Sequence, residues 1–411
     1  MITSYSIDEI IEYASTNSPF YRELYSGVSK PKLRNLPVLD QAPFWKALGD
    51  DKLLTANSRD GVVFKSGGTT GNPKHSYFNR EEWESFCHIF GTGMSDNLRE
   101  GDRVGNLFYA GELYASFVFI MKSLEYCPVP TIHYPITGAV AFDSLVSMVK
   151  ENHINVLAGV PTSFMNLANH LKVTGQELKL DRILYGGEAL YPDQENYLKE
   201  IFPGTQFHSI GYASVDGGHL GYCASDCARG EHRVFEQSII EIIDPESGEV
   251  ITEPGRKGKV IYSNLTRKLM PIIRYPVGDE AYWTSDGKFK LLGRSEEGAR
   301  IGPVTVNRDD ITGLLQKLGL EKEIGHFQLQ IYRQNKKDTL KLRLGSRRSE
   351  AEALELCKDV IASFYNERPM FLTSINEGLI NPLEAELVLP EQLFKNQRTG
   401  KLRFVIDNRH A

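Results

Sequence analysis

Between residues 66 and 74 the chain reads Ser66-Gly67-Gly68-Thr69-Thr70-Gly71-Asn72-Pro73-Lys74, a run of glycines and hydroxyls closed by a cation. Glycine lets backbone N–H groups approach anionic oxygens, Ser and Thr add donors and lysine adds charge, so the run suits a polyphosphate. It is not a Walker A loop, which needs Gly-Lys-Ser/Thr opening a helix; here Pro73 precedes Lys74 and Ser76 lies too far along. A plain surface turn would need much less than this combination. Glu188 follows Gly186-Gly187, a spacing that lets backbone approach a flat base, or that simply opens a helix with a carboxylate at its positive end. Tyr212 offers a ring and a hydroxyl either to a ligand or to the core. Cys223, Cys227 and His232 have the spacing C-x3-C-x4-H, one ligand short of a zinc site.

The elements that must position these residues follow from periodicity. The apolar run Gly61-Val62-Val63-Phe64 reads as a strand, and His75-Ser76-Tyr77-Phe78 as its hairpin partner. The chain opens with a helix in which Ser6 and Glu9 form a capping box and Ile7, Ile10, Ile11 and Ala14 share a face. From 101 to 220, short apolar runs alternate with helical patterns: Val104–Phe108, Leu113–Leu124, Val129–Ile132, Phe142–Glu151, Val156–Val160, Phe164–Leu171, Ile183–Leu184. That rhythm predicts an α/β domain, in which ligands gather beyond the carboxyl ends of the strands; Gly186-Gly187-Glu188 and Gly211-Tyr212-Ala213 stand there. From Phe235 the texture turns to strands and turns. After Gly293 a smaller α+β unit of roughly 115 residues follows. In it Asp310–Leu318 and Leu354/Cys357/Ile361/Phe364 read as helices, Phe327/Leu329/Ile331 and Leu340/Leu342/Leu344 as strands, and Glu384–Leu389 as the last strand.

Composition narrows the class without identifying it. The 411 residues are enough for two or more domains, and 41% hydrophobic with 24% charged residues is ordinary for a globular chain. A net charge of -6 without a basic block argues against nucleic-acid binding. No apolar run approaches the ~20 residues that cross a bilayer. The start, Met1-Ile2-Thr3-Ser4-Tyr5-Ser6, lacks the basic and apolar regions of a signal peptide, and five cysteines without framework spacing suit a reducing compartment. A cytoplasmic location is therefore expected.

The run at residues 66–74 resembles the phosphate-binding loop of adenylate-forming enzymes, the superfamily of acyl- and aryl-CoA ligases, peptide-synthetase adenylation domains and luciferases. The resemblance continues, in family order, through Gly186-Gly187-Glu188-Ala189, Tyr212-Ala213-Ser214-Val215-Asp216, Arg274-Tyr275-Pro276-Val277-Gly278-Asp279, Gly293-Arg294-Ser295-Glu296-Glu297 and Arg398-Thr399-Gly400-Lys401. These blocks span most of the chain. Asn17-Ser18-Pro19-Phe20-Tyr21 and the ending Lys401-Leu402-Arg403-Phe404-Val405-Ile406-Asp407 resemble the short phenylacetate-CoA ligase branch.

The resemblance implies a large N-terminal α/β domain with a strand-rich subdomain over residues 1–293, a hinge at 294–298 pivoting at Glu296, and a small mobile C-terminal α+β domain over 299–411 that carries Lys401. It implies activation of a carboxylic acid by ATP with Mg²⁺, giving an acyl-adenylate and pyrophosphate, then transfer to CoA. The expected nucleotide contacts are Ser66, Gly67, Gly68, Thr69, Thr70, Gly71 and Lys74 on the phosphates, Gly187, Glu188, Ala189 and Tyr212 around the adenine, Asp279 on the ribose, and Arg294. Lys401 and Thr69 take part in adenylation, with the lysine bridging carboxylate and α-phosphate. Asp216 stands where the family usually has a glutamate for Mg²⁺; it keeps the charge and loses one methylene of reach.

Phe108, Tyr109, Ala110, Gly159, Val160, Pro161, Tyr185, Gly186 and Tyr212 stand where the family builds its acid pocket. Such a set offers flat apolar walls, hence an aromatic acid. At Gly302-Pro303-Val304-Thr305 a proline occupies the place of the glycine that shapes the pantetheine channel, which weakens the case for CoA relative to adenylation. Related chains complete the Cys/His cluster with a Cys-x-Cys pair, but here Thr284-Ser285-Asp286-Gly287-Lys288 replaces it, so Cys223, Cys227 and His232 are expected to be partly buried groups rather than zinc ligands. Two alternatives stand beside the ligase: an adenylating protein that hands its acyl group to a carrier or reductase in secondary metabolism, such as antibiotic biosynthesis, and a nonenzymatic nucleotide-binding homologue.

Overall fold

A computed structural model describes residues 2–29, 31–57, 60–65, 74–245, 247–285, 287–294, 298–321, 323–324, 326–348, 350–394 and 404–409. The described residues form two compact units, one ending at Leu292 and the other starting at Gly293. Among them, no helix is long and apolar enough to cross a membrane.

In the first unit the opening helix Ile7–Asn17 has the expected capping box, with Ser6 and Glu9 satisfying each other's backbone N–H, and it buries Ile10, Ile11 and Ala14. Val62–Lys65 and His75–Phe78 pair antiparallel, as the sequence predicts. The centre is a five-stranded parallel sheet in the order Ile132–Pro135, Arg103–Asn106, Val156–Gly159, Arg182–Tyr185, Gln206–Ser209. Strands buried on both faces read as continuous apolar runs, and Val156–Gly159 is buried throughout. At the amino edge of this sheet Asp102 pairs with Arg182 at 2.7 Å, both nearly solvent-free, and accepts a bond from Asn155 at 3.0 Å. One carboxylate thus ties three neighbouring strands together at the edge away from the glycines. The strand order reverses between Arg103–Asn106 and Val156–Gly159, which opens a crevice at the carboxyl edge.

Two expected boundaries shift for physical reasons. The edge strand is Ile132–Pro135 instead of 129–132, because Pro128 and Pro130 remove ladder donors and an edge strand tolerates the half-polar sequence His133-Tyr134. The helix expected from Leu113 starts at Ser116, since Glu112 and Leu113 take left-handed conformations (φ 47° and 64°) and the Leu113 carbonyl accepts from Lys65 N–H at 2.9 Å. A seven-stranded antiparallel sheet follows, with strands from Tyr212–Ser214 to Lys288–Arg294.

The second unit holds the hairpin Gly298–Ile301/Val304–Asn307 and a four-stranded sheet ordered Glu384–Val388, Lys337–Gly345, Phe327–Gln334, Val405–Asp407. Glu384–Val388 is therefore not the final strand. Val405–Asp407 adds parallel to Phe327–Gln334, with Leu329 opposite Val405. Helices Arg308–Lys317, Glu350–Glu367 and Pro369–Asn376 cover this sheet and bury Leu314, Val360, Phe364 and Phe371 against it.

Candidate active site

At the carboxyl edge of the parallel sheet, the turns after three strands come together. Gly186 is required by close approach, because a Cβ there would lie 2.6 Å from Ile210 and 3.6 Å from the Phe108 ring. Gly187 is left-handed (φ 77°), and a Cβ there would lie 3.5 Å from Val160. Phe108, Val160, Gly186 and Gly187 are thus one wall, with Gly159 and Pro161 buried behind it. Tyr185 ends its strand half-buried, and burial pushes its hydroxyl up to about 12, so it stays protonated in the physiological range. Tyr109 is less simply placed: its ring lies against Gly138, towards the edge strand, and Ala110 is exposed. Glu188 accepts a bond from the Thr162 hydroxyl and from the Thr162 N–H at 3.3 Å, tying this turn to the helix that begins at Pro161. Ala189 beside it is exposed.

The next turn brings residues 67 positions apart into contact: the Tyr212 hydroxyl donates to Asp279 Oδ2. Asp279 reaches this point because Gly278 is left-handed (φ 83°) within the strand Tyr275–Ser285, redirecting the backbone there. A carboxylate keeps further lone pairs after accepting one phenol, so this pair can receive additional hydroxyl donors.

Asp216 lies between the strands Tyr212–Ser214 and Gly218–Tyr222. Its Oδ2 accepts from the Tyr275 hydroxyl at 3.2 Å, whereas its buried Oδ1 has no hydrogen-bond partner among the described residues. An orphaned carboxylate oxygen is costly unless something electropositive meets it, and a hard cation such as Mg²⁺ suits a hard oxygen donor. The residues present therefore fit a magnesium ion at this turn.

Several residues around this turn escaped the sequence reading. Tyr275 accepts from Trp45 Nε1 at 3.2 Å, Lys74 donates to Gln41 at 2.7 Å and lies 5.4 Å above the Trp45 ring, and Gln41 donates to the Pro276 carbonyl at 2.6 Å. The helix Gln41–Gly49 so links Lys74 to the Asp216 turn. Arg267, 1% exposed, donates to the Asp216 carbonyl at 2.8 Å, the Tyr77 carbonyl at 2.8 Å and Ser76 Oγ at 3.3 Å, with its guanidinium 4.0 Å above the Phe78 ring. It joins the hairpin after the glycine-rich run to the acidic turn. Its local sequence, Leu265-Thr266-Arg267-Lys268-Leu269, carries no signal that would single it out.

The Cys223 and Cys227 thiols lie within hydrogen-bonding reach of each other, whereas His232 makes its contacts elsewhere. Cys223 donates to the Glu231 carbonyl at 3.4 Å and burial pushes its thiol up to about 12. His232 points the other way in its strand, stacked on Phe289 at 5.8 Å and 3.5 Å from Ser209 Oγ, and burial holds its imidazole down to about 4. Among the described residues no group of three or more His, Cys, Asp or Glu side chains could hold a metal.

Ser66, Gly67, Gly68, Thr69, Thr70, Gly71, the expected pivot Glu296 and the segment Arg398–Lys401 lie outside the described residues, as does the side chain of Arg294.

No family model matches the chain. It is 24% identical to a phenylacetate-coenzyme A ligase of Thermus thermophilus, over 98% of this chain and 95% of that one. It is also 25% identical to an indoleacetate–lysine synthetase of Pseudomonas savastanoi, over 62% of this chain and 61% of the relative. Among solved structures, a 2-hydroxyisobutyryl-CoA ligase holding 2-HIB-AMP and CoA in its thioesterification state superposes with a TM-score of 0.71 at 19% identity, over 98% of this chain and 88% of that one.

Proposed function

We propose that this chain, a member of the adenylate-forming superfamily on its phenylacetate-CoA ligase-like branch, activates a carboxylic acid with ATP and transfers the acyl group to CoA. In the first step a carboxylate oxygen attacks the α-phosphorus, and pyrophosphate leaves with the electron pair of the broken P–O bond. In the second, the CoA sulfur attacks the acyl carbon, a C–S bond forms, AMP leaves with the C–O electron pair and the thiol proton passes to solvent. The observation that carries the reading is the Tyr212–Asp279 pair at the carboxyl edge of the parallel sheet, a charged acceptor set beside an aromatic ring where a nucleoside needs both.

Asp279 receives the ribose hydroxyls, and Tyr212 and the turn Gly187-Glu188-Ala189 flank the adenine. Phe108, Val160, Gly186 and Gly187, backed by Gly159 and Pro161, give the acid a flat apolar wall, which favours an aromatic acid. Ser66–Gly71 and Lys74 hold the β- and γ-phosphates. Lys401 offsets the charge that builds between carboxylate and α-phosphate, where a fixed cation acts most strongly. Asp216 holds Mg²⁺, which supplies charge neutralisation at the phosphates when bound. The hinge lies at residues 294–298, and rotation there exchanges the face that the small domain offers to the two steps.

A second acceptor, a reductase that takes the acyl group without a pantetheine arm, is favoured by one feature, Pro303 in place of glycine; a carrier's phosphopantetheine brings the same arm as CoA and is not separated from it by this feature. Pyrophosphate release across a panel of aryl and alkyl acids, with and without CoA, tests both readings. Acid-dependent release with loss of free CoA thiol supports the ligase. Release without thiol loss favours the second acceptor, and tight ATP binding without release under any acid refutes activation altogether.

A further inference from the structure

Lys74, the cation that closes the glycine-rich run, is held by two residues one turn apart on the helix Gln41–Gly49. Its ammonium donates to Gln41 Oε1 at 2.7 Å and stands 5.4 Å from the centre of the Trp45 ring. Residues at i and i+4 share a helix face, so Gln41 and Trp45 form one cradle. Each also has a second grip. Gln41 Nε2 donates to the Pro276 carbonyl at 2.6 Å, and Trp45 Nε1 donates to the Tyr275 hydroxyl at 3.2 Å, whose own proton goes to Asp216 Oδ2 at 3.2 Å.

The helix itself is fastened. Phe44, between the two and fully buried, lies 5.0 Å from the Trp45 ring and 5.4 Å from the Tyr275 ring, and the Leu39 N–H donates to the Arg274 carbonyl at 2.9 Å. The cradle is thereby tied to the start of the strand Tyr275–Ser285, the strand that also carries Asp279. The chemistry of the cradle is as specific as its geometry. A carboxylate at position 41 would pair with the ammonium and offset its charge, whereas an amide oxygen and an indole face direct the ammonium and leave it fully positive. Lysine is otherwise a compact charge on a flexible stem, and ordering that stem before an anion arrives removes the entropy loss from the binding step.

We propose that Gln41 and Trp45 are positioning residues for the β- and γ-phosphates of ATP, acting through Lys74, whose ammonium they fix without neutralising it. This rests on the reading above of Lys74 as a phosphate ligand. Through Tyr275, Trp45 also links that lysine to the Asp216 turn, so one helix sets the phosphate cation and the acidic turn together.

Calorimetric titration of ATP with Mg²⁺, and of AMP, which lacks the two phosphates assigned to Lys74, tests this in Gln41→Ala, Gln41→Glu, Trp45→Leu and Lys74→Ala. Gln41→Ala and Trp45→Leu should weaken ATP by about three- to tenfold and AMP by less than about twofold. Gln41→Glu keeps the shape and adds a charge, so it should weaken ATP most, by about tenfold or more, because the carboxylate holds the ammonium and repels the phosphates. Adding Gln41→Ala to Lys74→Ala should weaken ATP by less than about twofold further, since the lysine it acts through is gone. A role in packing alone would give the same loss in both backgrounds. Should Gln41→Glu not fold, Gln41→Ala with and without Lys74→Ala decides the matter. Equal losses for ATP and AMP, an undiminished Gln41→Ala effect in the absence of Lys74, or Gln41→Glu binding ATP as tightly as wild type would each overturn the inference. A Lys74→Ala chain that binds ATP as wild type does would instead overturn the reading of Lys74 on which it rests.

Discussion

Replacing Asp279 with alanine removes the acceptor that the site places next to Tyr212. A hydrogen bond to a charged partner contributes roughly 1.5–3 kcal/mol, so two ribose hydroxyls would lose about 3–6 kcal/mol. At 1.4 kcal/mol per factor of ten this is about 10²- to 10⁴-fold in the ATP dissociation constant. The lower half of that range is expected. Asp279 already accepts the Tyr212 hydroxyl in the unliganded chain, and deleting the carboxylate also raises the free state by leaving that phenol short of an acceptor. Calorimetric titration of ATP and 2′-deoxyATP into both proteins resolves the contribution. Wild type should bind 2′-deoxyATP about 10- to 100-fold more weakly than ATP, and Asp279→Ala should discriminate by no more than about threefold. Tyr212→Phe should weaken ATP by less than about tenfold, because the phenol orients the carboxylate without replacing it. An equal 2′-deoxy penalty in wild type and Asp279→Ala would remove Asp279 from the ribose site, whatever the change in overall affinity.

Other outcomes follow from the same geometry. Asp216→Asn keeps the shape of the turn but lowers the charge, so it should raise the Mg²⁺ concentration for half-maximal pyrophosphate release by about tenfold or more; an unchanged magnesium profile would take Asp216 out of the metal site. Lys401→Ala should cut adenylation by about 10²-fold or more while sparing the reaction of supplied adenylate with CoA, and equal loss in both steps would contradict domain rotation. Pro303→Gly should leave pyrophosphate release nearly unchanged and alter only transfer to CoA, which a two-step assay reads directly. Burial holds His219 at about 3 and His232 at about 4, both below the ordinary value. Since the unfolded chain takes up protons first, stability is complete above pH ~6.5 and lost as pH falls towards 4, by up to about 1.4 kcal/mol per pH unit for each ring. Urea midpoints at pH 7 and pH 5 should differ less in His232→Phe than in wild type, and an identical difference would contradict this.

The fold was legible wherever a local pattern decides structure. The capping box at Ser6 and Glu9, the period-two strands at Phe327–Ile331 and Leu340–Leu344, and the apolar run Val156–Gly159 each carry their own signal. Boundaries failed where local and tertiary preferences compete. Val129 suits a strand by composition, yet the prolines on both sides deny it ladder bonds; Leu113 suits a helix, yet its carbonyl is claimed by Lys65. The helix Arg80–Gly93, capped by Asn79 and Glu82, went unread although its signals are present. Of the candidate site, the glycine spacing is legible in the sequence itself, because close backbone approach demands that residue, whereas the blocks around Asp216 and Asp279 stand out only through their resemblance to a family. The Arg267 contacts could not be read there, since they join Ser76 and Tyr77 to a residue about 190 positions away, and only folding brings them together.

The central claim is that a carboxylate oxygen of the substrate becomes bonded to the α-phosphorus of ATP. The most direct measurement uses the best acid of the panel with both carboxylate oxygens replaced by ¹⁸O, incubated with ATP, Mg²⁺, CoA and the protein, followed by mass spectrometry of the nucleotide and acyl products. The predicted result is AMP carrying one ¹⁸O, unlabelled pyrophosphate, and an acyl-CoA thioester retaining the other ¹⁸O. ADP as the product, with the label in inorganic phosphate, would contradict the account.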